Sequence, residues 1–189
     1  MAEPTPLLKP IAPAQIEPRL WTHGQFVIDH WRPVADDVPL ADGLRPLLSL
    51  ARWRRERQAR TPAAGPVGLV LQPGETLGAA ADDVSALRVI ALRFPKFTDG
   101  RAYSTARLLR ERWRFEGEVR ATGDVLLDQL PLMLRAGFDA FEIVDKATIA
   151  ALERGLLPAV SRVYQRGVDV VPRLWRARRA AFPRLATAE

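Results

Sequence analysis

Short apolar runs alternate with helix-patterned stretches from Pro46 onward, and that rhythm limits the fold more than any single motif does. Leu47-Leu48-Ser49-Leu50, Val67 to Leu71, Val89 to Phe94, Val119 to Thr122 and Asp139 to Ile143 read as strands. Between or after them, Ala51 to Arg60, Thr76 to Val84, a stretch from Gly100 or Arg101, a stretch from Val125, and Lys146 to Arg154 read as helices. The clearest helix is the third. Ala102, Ala106, Leu109 and Trp113 recur along it at the spacing of one buried face. Strands joined through helices return in the same direction by right-handed crossovers. The expected fold is α/β, with a mostly parallel sheet of about five strands and flanking helices. An open doubly wound sheet and a partial barrel both satisfy the pattern.

Local signals mark the ends of these elements. Asp99 is placed to cap the helix near Gly100, and Asp124 to cap the helix from Val125. Glu116-Gly117 closes the first of these helices, and Gly137 suits the left-handed residue that ends the second. Pro131 falls inside the second helix and is expected to kink or shorten it. Upstream, Gln25 to Trp31 is strand-like, and Asp36-Asp37 and Asp42-Gly43 are turn signals. Pro4, Pro6, Pro10, Pro13 and Pro18 make residues 1–20 an extended arm. A further helix is expected near Ala159 to Gln165. From Asp169 onward Arg173, Arg176, Arg178, Arg179 and Arg184 surround Trp175. The chain divides into an extended arm and strand over 1–43, an α/β domain over 44–165 and a basic tail over 166–189.

Composition excludes several chemistries. With no cysteine among its 189 residues, the chain has no disulfide, no thiolate-held zinc or cluster and no cysteine nucleophile. His23 and His30 are its only histidines, and their odd separation puts them on opposite faces of a strand, so no metal site is expected. The net charge of +6 is carried almost wholly by arginine, since Lys9, Lys96 and Lys146 are the only lysines. A positive field favours an anionic small molecule or an acidic protein partner. Arginine abundance alone is a poor argument for nucleic acid, which is not expected as a partner. No apolar run approaches the ~20 residues of a membrane span, and Met1 to Pro6 lack the regions of a signal peptide. A cytoplasmic protein without membrane contact is expected. The dinucleotide fingerprint G-x-G-x-x-G, the Walker phosphate loop and the G-x-S-x-G elbow are absent from the sequence. No nicotinamide site is read from it, and the cofactor is left unassigned.

In parallel sheets, ligands bind at the carboxyl ends of the strands. The polar connections expected there are Gln72 to Glu75, Pro95 to Arg101, Thr122 to Asp124, and Asp145-Lys146. If their strands are neighbours, Lys96, Thr98, Asp99, Gly100, Arg101, Tyr103, Gly123, Asp124 and Asp128 form a candidate ligand-binding group. Two helix N-termini, near Gly100 and Val125, would favour an anion there. Lys96 and Arg101 would add charge and directed donors. The plainer reading makes Asp99 and Asp124 caps, Gly100 and Gly123 turn residues, and Arg101 a partner of Asp124. Asp124 and Asp128, four residues apart, could serve acid–base work or hold magnesium, or be one cap and one solvated acid. Arg107, Arg110 and Arg114 share a helical face, read as solvated. Trp53, Trp113 and Phe115 are read as packing. No catalytic residue is assigned.

The run from Phe94 through Arg101 to Ser104, with Ala106 to Arg110, Gly117 to Ala121, Gly123 to Leu126, Asp128-Gln129 and Ala136 to Phe141, resembles the bacterial domain-of-unknown-function family 934. The likeness is dense from about Val89 to Ile143 and looser from Leu44 to Leu71. The resemblance implies an oxidoreductase label tied to sulfite reduction, which derives from gene neighbourhood and implies the pathway of sulfate assimilation and cysteine biosynthesis. Pro131 departs from what that family's helix leads one to expect. Sulfite reduction uses siroheme, iron–sulfur clusters and flavin, and this chain has no cysteine for a cluster. The expected role is an accessory protein that docks on assimilatory sulfite reductase or its electron donor, or holds an anionic ligand. The alternative is a small α/β enzyme binding an anionic substrate or nucleotide at the Lys96 to Arg101 loop.

Overall fold

The computed structural model describes residues 17–59, 65–78 and 84–158. Its sheet has eight strands, not about five. The stretch read as an arm and one strand supplies three of them: β1 (Arg19–Thr22), β2 (Gln25–Val27) and β3 (Trp31–Pro33). Strands of three or four residues are too short for alternation to be read, which is why they escape sequence analysis. The others are β4 (Arg45–Ser49), β5 (Val67–Leu71), β6 (Leu87–Phe94), β7 (Glu118–Gly123) and β8 (Ala140–Ile143). The helices are α1 (Leu50–Glu56), α2 (Arg101–Glu111), α3 (Leu130–Ala136) and α4 (Lys146–Glu153). Thr76 and Leu77 are not helical, and the rest of the helix expected there lies largely outside the described residues, as do the arm to residue 16, the helix near Ala159 and the basic tail.

The strand order is β2-β1-β8-β7-β6-β5-β4-β3. From β3 to β8 every neighbouring pair is parallel and consecutive in sequence. A doubly wound sheet reverses its order at one point; this one never does. Every right-handed crossover steps the same way, so the helices share one face. The sheet curls into a half-barrel, and chain connectivity shows why. In a flat sheet, β2 and β3 would lie ~34 Å apart at ~4.8 Å per strand. Only Ile28, Asp29 and His30 join them, and such a link spans at most ~14 Å. Because β1 is antiparallel to both β8 and β2, β2 runs in the same direction as β3. The two behave as one strand broken in the middle, whose first half pairs at one sheet edge and whose second half pairs at the other.

Leu69, Leu71, Ile90, Leu92, Phe94, Ala121, Phe141 and Ile143 face the helices and pack with Trp53, Ala106, Leu109, Leu130 and Met133. Phe138 bridges Phe94 and Phe141 through tilted ring contacts. The expected helix from Val125 is corrected. Leu126 is extended, a short 3-10 turn covers Leu127–Gln129, and α3 starts only at Leu130. Pro131 therefore sits in the first turn, where its missing N–H costs nothing and its fixed φ suits the helix. Gly137, at φ +105°, is the expected left-handed terminator.

Arg110 also departs from expectation. It lies four residues after Ala106, on the buried stripe of α2, and is 1% exposed. Its guanidinium donates to the Gly137 and Gly117 carbonyls at 3.0 and 2.8 Å and pairs with Asp139, which also accepts from Val119 N at 2.9 Å. This cluster ties α2 to β7 and β8 at the amino end of the sheet. Burial pushes the Asp139 carboxyl up to about 6 and lowers the Arg110 pKa. Arg107, by contrast, is solvated beside Glu111, and Arg114 lies beyond α2 in a positive-φ turn.

Candidate functional site: the carboxyl rim and inner face of the sheet

Because β5, β6, β7 and β8 are neighbours, their four polar connections lie side by side at the carboxyl edge. The candidate residues share this rim but do not converge on one point. Asp99 and Arg101 pair with each other: Arg101 Nε and Nη2 donate to the two carboxylate oxygens at 2.9 and 2.6 Å. This bidentate bond holds the Asp99 pKa down at about 2. Arg101 therefore does not pair with Asp124. Its Nη1 instead comes close to Gly74 in the loop after β5, 3.4 Å from where a Cβ on that glycine would lie. A cleft between Gln72, Gly74, Glu75 and α2 opens there. Asp99 is not the cap residue of α2 either. Gly100 holds that position, and the Asp99 carboxylate accepts from Arg101 N at 3.2 Å from one residue further out.

Asp124 caps no helix. Its Oδ2 accepts from Phe97 N at 2.9 Å, while Gln129 Nε2 donates to Phe97 O at 2.6 Å. Both backbone groups of Phe97 are thus held by side chains that follow β7, and the residue is left 49% exposed. Lys96 and Thr98 are exposed on either side, and Lys96 O accepts from Asp99 N at 3.0 Å to close the turn. Gly123 makes this approach possible. At φ +95° its missing Cβ would stand 2.2 Å from Phe94 O, and Asp124 N donates to that same oxygen at 2.9 Å. Tyr103 faces inward, edge-on to Phe94 and Phe138. Burial, and then the charge of exposed Asp128, raise its pKa.

A second polar group lies on the face of the sheet away from the helices, and sequence analysis did not find it. Glu118, Arg120 and Thr122 alternate with Val119 and Ala121 along β7, so the charged set points opposite to the core. The Arg120 side chain is fully buried. It binds Asp29, from the three-residue crossing, through Nη1 at 2.7 Å and Nη2 at 3.2 Å, and Glu118 through Nε at 2.7 Å. Burial opposes the Arg120 charge, but Glu118 and Asp29 outweigh it and its pKa rises. Ala91 and Ala140 are its register neighbours on either side, and their small side chains leave width for a guanidinium. A charged residue in mid-strand with period-two alternation was the available signal. It marks a strand whose second face lines the inner side of a curled sheet rather than another helix layer. Among the described residues, no group of three or more histidine, aspartate or glutamate side chains could hold a metal ion.

These features define a mixed α/β protein with a curled, mostly parallel sheet, a clamped polar rim and a charged inner face. The chain matches the family described as bacterial protein of unknown function, DUF934, over residues 68–175, more than half its length, and it belongs to that family. The match begins inside β5 and runs past the described residues into the Arg-rich segment. No curated protein and no solved structure matches the chain. Among the described residues, no helix is long and apolar enough to cross a membrane.

Proposed function

We propose that this chain is a cytoplasmic accessory protein of assimilatory sulfite reduction, and that it docks on the reductase or its electron donor. The pathway comes from the family resemblance. The mode of action rests on one observation: Phe97 is half exposed while both its backbone groups are clamped by Asp124 and Gln129. Exposed aromatic rings are common interface anchors. A loop held before encounter loses little further entropy on binding. Exposed Lys96, next to Phe97 in sequence, adds a positive charge for an acidic partner surface. The absence of cysteine removes the commonest cluster ligands from the chain itself, which favours assistance over electron carriage. The alternative, an anionic substrate or nucleotide held by Lys96 and Arg101, has less behind it because Asp99 already fills the Arg101 fork.

The test uses the full chain in its own cell. Deletion is expected to slow growth on sulfate, with rescue by cysteine, and the tagged protein is expected to copurify with the reductase. Phe97→Ala is expected to lose copurification while melting at the wild-type temperature. Normal growth of the deletion strain on sulfate would overturn the pathway. Undiminished copurification of Phe97→Ala would overturn the docking mode.

A further inference from the structure

The inner face of the sheet carries an inference independent of the rim. Its hydrogen bonds and ion pairs, among the described residues, tie Arg120 to Asp29 and Glu118. That buried group forms a floor. Two residues further along each strand toward the carboxyl end, the same face carries a different set. Arg93 on β6 is the register partner of Thr122 on β7. The β7–β8 register pairs Arg120 with Ala140 and Ala121 with Phe141, so its next step puts Thr122 beside Glu142. Arg93 is exposed, and Thr122 and Glu142 are half-buried, so this layer opens toward solvent above a closed floor.

The two charges in this layer have not cancelled each other. Thr122 stands between them, and two strand spacings, ~10 Å of backbone, separate their Cα positions. Arg93 acts on Glu142 only as a charge at a distance, and no hydrogen bond or ion pair joins them. Burial raises the Glu142 pKa; Arg120 pulls against that shift, Asp29 adds to it and Arg93 opposes it, and among the described residues no donor touches the carboxylate. A simple anion arriving at Arg93 meets Glu142, and a simple cation arriving at Glu142 meets Arg93, since Asp29 and Glu118 already offset Arg120 below. A molecule with both charges, a few ångströms apart, satisfies both ends and needs no net change in site charge.

We propose that the carboxyl mouth of the curled sheet binds a small zwitterion of the α-amino acid class, its carboxylate on Arg93, its ammonium on Glu142, with the Thr122 hydroxyl between. Arg120 is a positioning residue beneath it, fixed by Asp29 of the crossing segment.

Calorimetric titration of the full chain with each standard amino acid tests this, with acetate and methylammonium as half-ligands. At least one amino acid is expected to bind saturably, at least ~10-fold tighter than either half-ligand, which is about 1.4 kcal/mol. Glu142→Gln and Arg93→Met are each expected to weaken it at least ~10-fold. Thr122→Val, which keeps the side-chain shape, is expected to weaken it several-fold, so a folding failure in either charge variant leaves the test intact. Arg107→Ala, solvated on α2 on the other side of the sheet, should bind as wild type. The proposal is overturned if no amino acid binds, if acetate binds as tightly, or if the folded variants bind unchanged.

Discussion

At the amino end of the sheet, Arg110 and Asp139 meet with 1% and 8% of their side-chain surface exposed; at the carboxyl rim, Arg101 and Asp99 meet with 62% and 15% exposed. The chemistry is the same and the environment is not. Around Arg110, the carbonyls of Gly137, Phe115 and Gly117 accept from the guanidinium alongside Asp139. Around Arg101, solvent screens the pair and its partner is only two residues away in sequence. The buried pair fastens α2 to the sheet. The exposed pair shapes one loop. Identical residue types therefore report opposite things: a cost if disturbed below, a surface free to evolve above.

The sharpest way to break this contrast is to remove one partner below. Asp139→Ala leaves the Arg110 charge buried and is expected to cost ~3–5 kcal/mol in urea unfolding. Arg110→Met with Asp139→Leu should recover much of that loss, because neither charge then remains. A cost near zero for Asp139→Ala would make the two pairs equivalent. The next effect is one of pH. Asp139 rises from 3.8 to about 6 on folding, so the stability it contributes is fully present below 3.8 and is lost as pH rises through about 6. The fall should amount to about 3 kcal/mol and flatten in Asp139→Asn. Asp99 has the opposite sign: lowered from 3.8 to about 2, it favours folding above 3.8 and stops doing so as pH falls through about 2. Melting curves from about pH 2 to pH 8, which cover the Asp99 window below 3.8 and the Asp139 window up to about 6, separate the two arms.

Gly123→Ala comes third. It forces a Cβ into Phe94 O at an unfavourable φ and is expected to cost more than ~1 kcal/mol while leaving every charge in place. That would locate the rim's structural demand in its backbone. The smallest expected effect is that of Arg101→Ala, whose melting midpoint should match wild type; a marked loss would make Arg101 a structural tie after all.

Much of the fold is legible in the sequence where a pattern is long enough to repeat. Val67–Leu71 is a strand from end to end, and the stripe Ala102, Ala106, Leu109 is buried as its spacing requires. Arg110 was legible in principle, since it extends that stripe from Ala106 by one turn; its charge masked its position. The stretch from Val125 misled because Asp124 carries a cap residue's chemistry while serving a neighbouring loop. Two groups close in space but distant in sequence leave no local trace. Asp29 and Arg120, 91 residues apart, are such a pair, and with them the inner face stayed hidden. Lys96, Asp99, Arg101 and Asp124 were placed on the correct edge by the rule for parallel sheets, but which of them touch was set by loop geometry no periodicity encodes.

The crossing through Ile28, Asp29 and His30 also orders events in time. β1 pairs with β8, so Arg19 and Trp21 wait for Ile143 and Phe141 to be made before that edge exists. The β1–β2 hairpin leaves the ribosome before β8 and has no such edge to join until almost the whole described chain has been synthesised. The β3 end of the same segment can pair with β4 far sooner. One short peptide is thus moored early at one end and late at the other, and seating the β1–β2 hairpin on β8 becomes a long-range step whose speed is set by loop entropy rather than by local helix formation.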